Sequence, residues 1–356
     1  MTSTKIGYVL LSNTRNPLPS TRVSVLNMFP YLRAANFEPY VLFEPQHGEE
    51  KPDVSGLAKR MLSQGVEIAY FQKVHGASVL AEIRKLSASG VKIIYGVCDL
   101  VENEMAEVAD ATIVVTEYLK SLYEYRLQHK IHVVHDGIEN PQIRKSAYST
   151  DRGSAGRPLR AVLVTSSELD NIPIIERPPS FLEVTIVGRY PRVSSVRQRA
   201  KQAYWKIAAK KSLPEKCVLA SNMIFRKFKA VNWDIDTAYR LMAEADIGII
   251  PVDMGVDPIP RHDVSYWQVK SENRLTMKMS VGLPVVASPV PSYLEILNQG
   301  KNGYLASNRD EWIQCMEELR DPDRRRVIGE NARSSVIERY SKETQAERLI
   351  EILRKV

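Results

Sequence analysis

Short apolar runs rich in Val and Ile alternate with segments of helical periodicity along almost the whole chain, and this alternation restricts the fold more than any other feature. A run that is apolar at consecutive positions fits a strand buried on both faces, as in a parallel sheet covered by helices. In the first part the order is IGYVLL, a helix over about 20–35, PYVLF, a helix near 54–63, VEIAYF, a helix over 77–88, VKIIYGV, a helix from about 101, ATIVV, a helix from 117, and IHVV. That order predicts a parallel, doubly wound α/β sheet, whose ligands bind at the carboxyl ends of its strands. Residues 140–158 are rich in Ser, Gly, Arg and Pro, lack periodicity and read as a linker. A second series follows, with strands expected at RAVLVT, LEVTIVG, CVLASNMIF, DIGIIPV, PVVAS and GYLA, and amphipathic helix from 311 to 356. The expected organisation is a first domain over 1–145, a second over 146–340, and a last helix over 341–356.

With 356 residues, 44% of them hydrophobic and 26% charged, the chain can fill the cores of two ordinary domains. No leader pattern precedes the first strand and no apolar run approaches the roughly 18 residues of a membrane span, so a cytoplasmic protein is expected. Cys98, Cys217 and Cys315 are odd in number and unpaired in spacing, which fits reduced thiols and neither a disulfide frame nor a zinc site. The formal charge of +7 permits anionic partners without identifying one. Much of the excess lies between Arg189 and Lys229, including VRQRAKQAYWKIAAKKS, where Ala200, Ala203, Tyr204, Ile207 and Ala208 share one helical face. Such a helix suits either a solvated position with one buried stripe or a peripheral contact with the inner membrane face. Nothing in the pattern calls for a nucleic acid.

The densest local signal is KSENRLTMKMSVGLPVVAS, residues 270–288. Leu275, Met279 and Val281 recur near the helical period, Ser271 can cap a helix starting at about Glu272, and Gly282 can take the left-handed exit before Pro284. Lys270 and Arg274 then sit at the positive end of the helix dipole, where each cation is disfavoured by about 0.3–1 kcal/mol unless an anion joins it. Unsatisfied N–H groups, a hydroxyl and two cations describe a phosphate or diphosphate seat. They also describe a solvated helix end with two snorkelling side chains.

The spacing K-S-x-N-R/K-L-x-x-x-M-x-x-G-x-P-V-V-A-S resembles the donor-site helix and strand of group 1 (family 4-like) glycosyltransferases with the GT-B fold. The likeness continues through PSYLEILNQGKNGYLA, residues 291–306, with Glu295 and the Asn302-Gly303 turn, and the 135–139 segment HDGIE is similar to the turn closing the family's first domain. The resemblance implies two Rossmann-like doubly wound domains facing a cleft, a last helix returning to the first domain, and sugar transfer from a nucleotide-diphosphate donor with retention and without metal. The nucleotide-sugar is then a substrate, so no cofactor is expected. The acceptor would be a glycan, a lipid-linked sugar or a small molecule. Lys270, Ser271, Asn273 and Arg274 would hold the donor diphosphate, and Arg15 and Arg22 in the loop after the first strand would face the cleft.

Two departures stand out. Val269 and Met277 occupy the positions of the family's two glutamates, the second of which binds ribose, and Ser166 and Ser167 follow the strand after which the family places an arginine and a lysine. Lys270 and Arg274 would therefore carry more of the phosphate charge, with Ser166 and Arg189 as further donor contacts. A nucleotide-sugar epimerase of the same fold and a non-catalytic nucleotide-sugar-binding subunit compete with the transferase reading.

Elsewhere, His75 follows an apolar strand into a loop, where an imidazole can meet a sugar hydroxyl or phosphate or simply be structural. Asp99 with Glu102 fits a D-x-x-E helix cap, and the family often carries an acid there in the cleft. Asp234-Ile235-Asp236 matches a D-x-D metal motif, but its place before TAYRLMAEA makes capping the better account. No P-loop, G-x-S-x-G, H-E-x-x-H or dinucleotide fingerprint occurs in context.

Overall fold

A computed structural model describes residues 3–165, 178–188, 204–205, 207–208, 212–224, 228–252, 254, 258–259 and 264–356. The chain forms two compact units, one of Met1–Glu139, Asp257–Asn273 and Glu338–Val356, the other of Asn140–Val256 and Arg274–Ile337.

The first unit is built on six parallel strands, β1 (Thr4–Val9), β2 (Phe37–Phe43), β3 (Ile68–Gln72), β4 (Lys92–Val97), β5 (Ala111–Val114) and β6 (Ile131–Val133), in the order β2-β1-β3-β4-β5-β6. Alternate residues feed two cores. Ala69, Phe71 and Tyr95 pack under the helices Leu57–Ser63 and Ala77–Ala88, while Ile68, Tyr70 and Ile94 pack with Leu32 and with Ala346, Leu349 and Leu353 of the last helix, Lys342–Lys355. Burial on both sides is why these strands read as unbroken apolar runs. The helix expected over 20–35 is divided into Pro19–Ser24, a 3-10 turn Leu26–Met28 and Phe29–Ala34. Pro30 lacks the N–H that a continuous helix would need, and it falls in the first turn of the third piece, where that donor has no use.

The second unit comprises β7 (Leu159–Val164), β8 (Leu182–Gly188), β9 (Phe228–Asn232), β10 (Ile247–Ile250), β13 (Val285–Ala287) and β14 (Tyr304–Leu305), all parallel, in the order β14-β13-β10-β7-β8-β9. A two-stranded antiparallel pair, β11 (Pro258–Ile259) and β12 (Val264–Ser265), belongs with the first unit. CVLASNMIF is not a strand: helix Leu213–Ile224 runs through it and β9 follows. An apolar run of that length is compatible with either state, and Pro214 with Glu215 supplies a helix start that decides the matter. The expected terminal helical region is three helices, Arg309–Glu318, Pro322–Val336 and Lys342–Lys355. The linker carries no regular structure through 140–158, yet it lies along the second unit, with Lys145 Nζ donating to Ala243 O at 3.0 Å and Tyr148 Oη to Gly282 O at 2.7 Å.

Of the basic helix expected over 196–212, only Tyr204, Trp205, Ile207, Ala208 and Ser212 are described; the rest lies outside the described residues. Tyr204 and Trp205 are exposed and meet edge to face at 5.6 Å, so Tyr204 does not contribute to a buried stripe. Among the described residues, no helix is long and apolar enough to cross a membrane.

Candidate functional site

Helix Asn273–Ser280 begins one residue later than its sequence suggests. The Ser271 hydroxyl is hydrogen-bonded to the Asp136 carboxyl. Glu272 is turned inward, with its Oε1 3.1 Å from His135 Nδ1 and accepting from the Asp136 amide at 3.2 Å. Lys270 sets its ammonium 3.7 Å from the centre of the Tyr266 ring. The Arg274 carbonyl accepts from Lys278 Nζ at 3.1 Å. Lys270, Asn273 and Arg274 are therefore gathered at the amino end of an eight-residue helix, where the first backbone N–H groups lack intrahelical acceptors. Gly282 leaves that helix at φ +83°, the left-handed exit expected of it.

The missing acids at 269 and 277 have a structural reason. Met277 is buried in the apolar cluster of the second unit with Val162, Val164, Tyr239 and Met242. Val269 is likewise buried, in the core of the first unit. A carboxylate at either place would need partners that these apolar surroundings do not supply.

The loops leaving the first sheet are dense in charge. Lys73 is 7% exposed and adopts φ +58°, which brings its ammonium to Asp99 Oδ1 at 2.6 Å and Glu50 Oε1 at 3.6 Å. Burial opposes the charge on Lys73, but the neighbouring Cys98, Asp99 and Glu50 together outweigh it and raise the lysine's pKa. Asp99 is thus no helix cap: the helix begins four residues later, at Asn103, and the acid is held by Lys73. His75 sits with Nε2 3.6 Å from Glu102 Oε1, and its Nδ1 is buried without a hydrogen-bond partner among the described residues. Cys98, beside this group, has its thiol pushed well up by burial and by Asp99, so it is not a ready nucleophile. Ser24, Gln72, Lys73, Cys98 and His135 line a cavity of about 20 Å³, room for about one water.

Arg22, expected to face the cleft, forms a bidentate pair with Glu139 at 2.8 and 2.9 Å, and so engaged it braces the end of the first unit. Arg15 is exposed on its loop. Ser166, Ser167 and Arg189 lie outside the described residues. Asp234 caps the helix Ile235–Glu244, accepting from Thr237 N at 2.9 Å, as its sequence context argues. Sequence reasoning passed over Glu272, His135 and Asp136 as a group. Their spacing offers no signal, since Glu272 lies 137 residues from His135.

Residues 231–351 match the model of a family described as glycosyl transferase-like. No curated protein sequence matches the chain. Solved structures similar over nearly its full length include a glycosyltransferase from Rickettsia africae (TM-score 0.68, 13% identity, 99% of this chain and 98% of that one). HepE from Anabaena, crystallised with UDP and glucose, aligns at TM-score 0.65 and 14% identity over 99% of this chain and all of that one. The sucrose-phosphate synthase of Thermosynechococcus elongatus aligns at TM-score 0.65 and 13% identity over 99% of this chain and 98% of that one. Residues 231–351 thus resemble a glycosyl transferase-like family, and the two parallel six-stranded sheets give the chain the fold of these glycosyltransferase structures.

Proposed function

We propose that the protein transfers a sugar from a nucleoside diphosphate-sugar to an acceptor hydroxyl, with Lys270, Asn273 and Arg274 seating the donor diphosphate. The observation that carries this reading is the placing of Lys270, Asn273 and Arg274 within five residues at the start of the helix Asn273–Ser280. In the reaction the bond from the anomeric carbon to the diphosphate oxygen breaks and a bond to the acceptor oxygen forms. The acceptor's proton leaves with the diphosphate or to solvent. Negative charge grows on the leaving diphosphate, and preorganised N–H groups and cations stabilise it there without a metal ion. The stereochemical course is read as retention, by resemblance. Ser271 contributes through Asp136, since its hydroxyl is engaged with that acid. HepE crystallised with UDP and with UDP-glucose, which makes a uridine donor the first to try. Neither metal nor cofactor is assigned, and the acceptor is to be sought among glycans, lipid-linked sugars and small molecules.

Calorimetry with UDP and UMP, each with and without chelator, tests the seat. Binding that needs the second phosphate and survives chelator is expected, and loss of binding in chelator would sink the assignment. R274A should weaken donor binding about ten- to a hundredfold, the about 1.5–3 kcal/mol of a charge-assisted pair, at nearly unchanged Tm. A large drop in Tm with unchanged affinity would make Arg274 structural. The apolar burial of Met277 favours a second reading, a donor-binding subunit without catalysis. Donor hydrolysis or transfer by the purified protein excludes it.

A further inference from the structure

Glu272 is 1% exposed, although it stands in the turn that leads into the proposed diphosphate helix. Its Oε1 meets His135 Nδ1 and the Asp136 amide, and its Oε2 is buried without a donor among the described residues. Ser271, the residue before it, is bonded to the Asp136 carboxyl, which also accepts from Ser24 Oγ at 3.0 Å. His135 is itself fixed. Its Nδ1 lies 2.9 Å from the Val115 carbonyl, its backbone N–H donates to Gln345 Oε1 at 2.9 Å, and its ring packs 4.8 Å from that of Tyr340. Both neighbours of Nδ1 are acceptors, so that nitrogen carries the proton. A buried carboxylate with one oxygen unsatisfied lowers stability, and such a group persists in a fold when something else depends on it.

We propose that Glu272 is a positioning residue for donor binding: by grasping His135 and the Asp136 amide it fixes the turn 270–273, and so aims Lys270 and Asn273 at the donor diphosphate. The inference rests on the diphosphate seat described above. Asp136 makes the grasp sensitive to pH. It faces Glu272 and, more distantly, Glu139, which Arg22 and Asn27 hold, with the neutral Cys98 thiol also near. Burial, then the Glu272 charge, pushes the Asp136 carboxyl up to about 7, against the hydroxyls of Ser271 and Ser24. For His135, burial and the Arg348 charge act against the imidazolium, yet Glu272 and the Val115 carbonyl prevail and raise its pKa. Both groups hold their protons more firmly with the turn in place. The grasp is therefore tight at low pH and loosens as pH rises through about 7, when Asp136 becomes a second carboxylate beside Glu272.

UDP-glucose keeps a constant charge over the range, so its affinity reports the protein. Between about pH 6 and about pH 8.5 the wild type should lose about tenfold in affinity, whereas D136N, with no acid to ionise, should bind alike at both ends. E272A should bind weakly at every pH, and E272Q, which keeps the acceptor oxygen, should restore affinity without the slope. A wild-type affinity that ignores pH, or E272A binding like wild type, overturns the proposal. K270A and R274A at about pH 6 separate the two readings: unchanged affinity in these variants removes the seat itself. Loss there, with E272A intact, removes only the positioning role. Trp267 gives a readout without ligand, taken as the emission difference between wild type and W267F. That component should shift with pH in the wild type and stay fixed in D136N, and a fixed wild-type component also overturns the inference.

Discussion

Lys73 and Lys278 are both buried, 7% and 0% exposed, and their surroundings push them in opposite directions. Lys73, in the first unit, stands against Cys98, Asp99 and Glu50, which together overcome the effect of burial and raise its pKa. Lys278, in the second, lays its stem 3.0 Å from the point where a side chain on Gly248 would begin, and it finds the Arg274 carbonyl as its acceptor. Burial, then the Arg274 charge, lowers Lys278 to about 7. The difference shows what decides the state of a buried cation: the presence of a carboxylate within reach, more than depth.

The comparison breaks most visibly if Lys73 is removed. K73M should destabilise the protein by about 3 kcal/mol in urea unfolding, because Asp99 is left partly buried without its partner. K278M should do the reverse, adding about 1 kcal/mol or more below pH 7, since a buried charge without a carboxylate gives way to an apolar chain. The wild type should also gain stability as pH rises from about 7 toward 10.5, where the unfolded lysine keeps a proton that the folded one has shed, and K278M should lack that slope. Equal signs for the two variants would show that the carboxylate does not matter. On the same helix as Lys278, Met277 stands where the resemblance would put a ribose-binding acid and Glu272 is committed to His135, so uridine and deoxyuridine diphosphates should compete within about tenfold, the roughly 0.5–1.5 kcal/mol of one hydrogen bond. A ribose preference above about a hundredfold would require another acceptor in that role. The smallest effect is expected at an exposed pair. R126A removes contacts at 2.7 Å to Glu107 and Glu124, yet Tm should stay within about 1 °C, because solvent screens charges there.

Much of the fold is legible in the sequence because parallel strands covered on both faces leave continuous apolar runs. The helix Ala77–Ala88 has the bounds its periodicity gives. The failures are equally physical. The run CVLASNMIF has the length and composition of a strand, and only the Pro214 start signal marks it as part of a helix. Asp99 satisfies a local capping pattern but is claimed by Lys73 from the neighbouring strand end, as Ser271 is by Asp136. Local grammar ranks the chain's own neighbours, whereas a sheet brings together strand ends that lie far apart in sequence. Of the candidate site, the cations at 270 and 274 could be named from helix-end electrostatics. The acid that braces their turn could not, because burial alone gives Glu272 its role.

The last helix, Lys342–Lys355, covers Ile6, Tyr8 and Ile68 with Ala346, Leu349 and Leu353, and Ile138 bridges to Ser341 just before it. During synthesis one face of the first sheet is therefore complete in its strands long before its cover exists, and it waits through the making of roughly two hundred residues, at about 5–20 per second some ten seconds or more. Over that interval an aromatic and β-branched surface stands uncovered, a natural holding site for a chaperone. A ribosome stalled before residue 342 would present that face indefinitely.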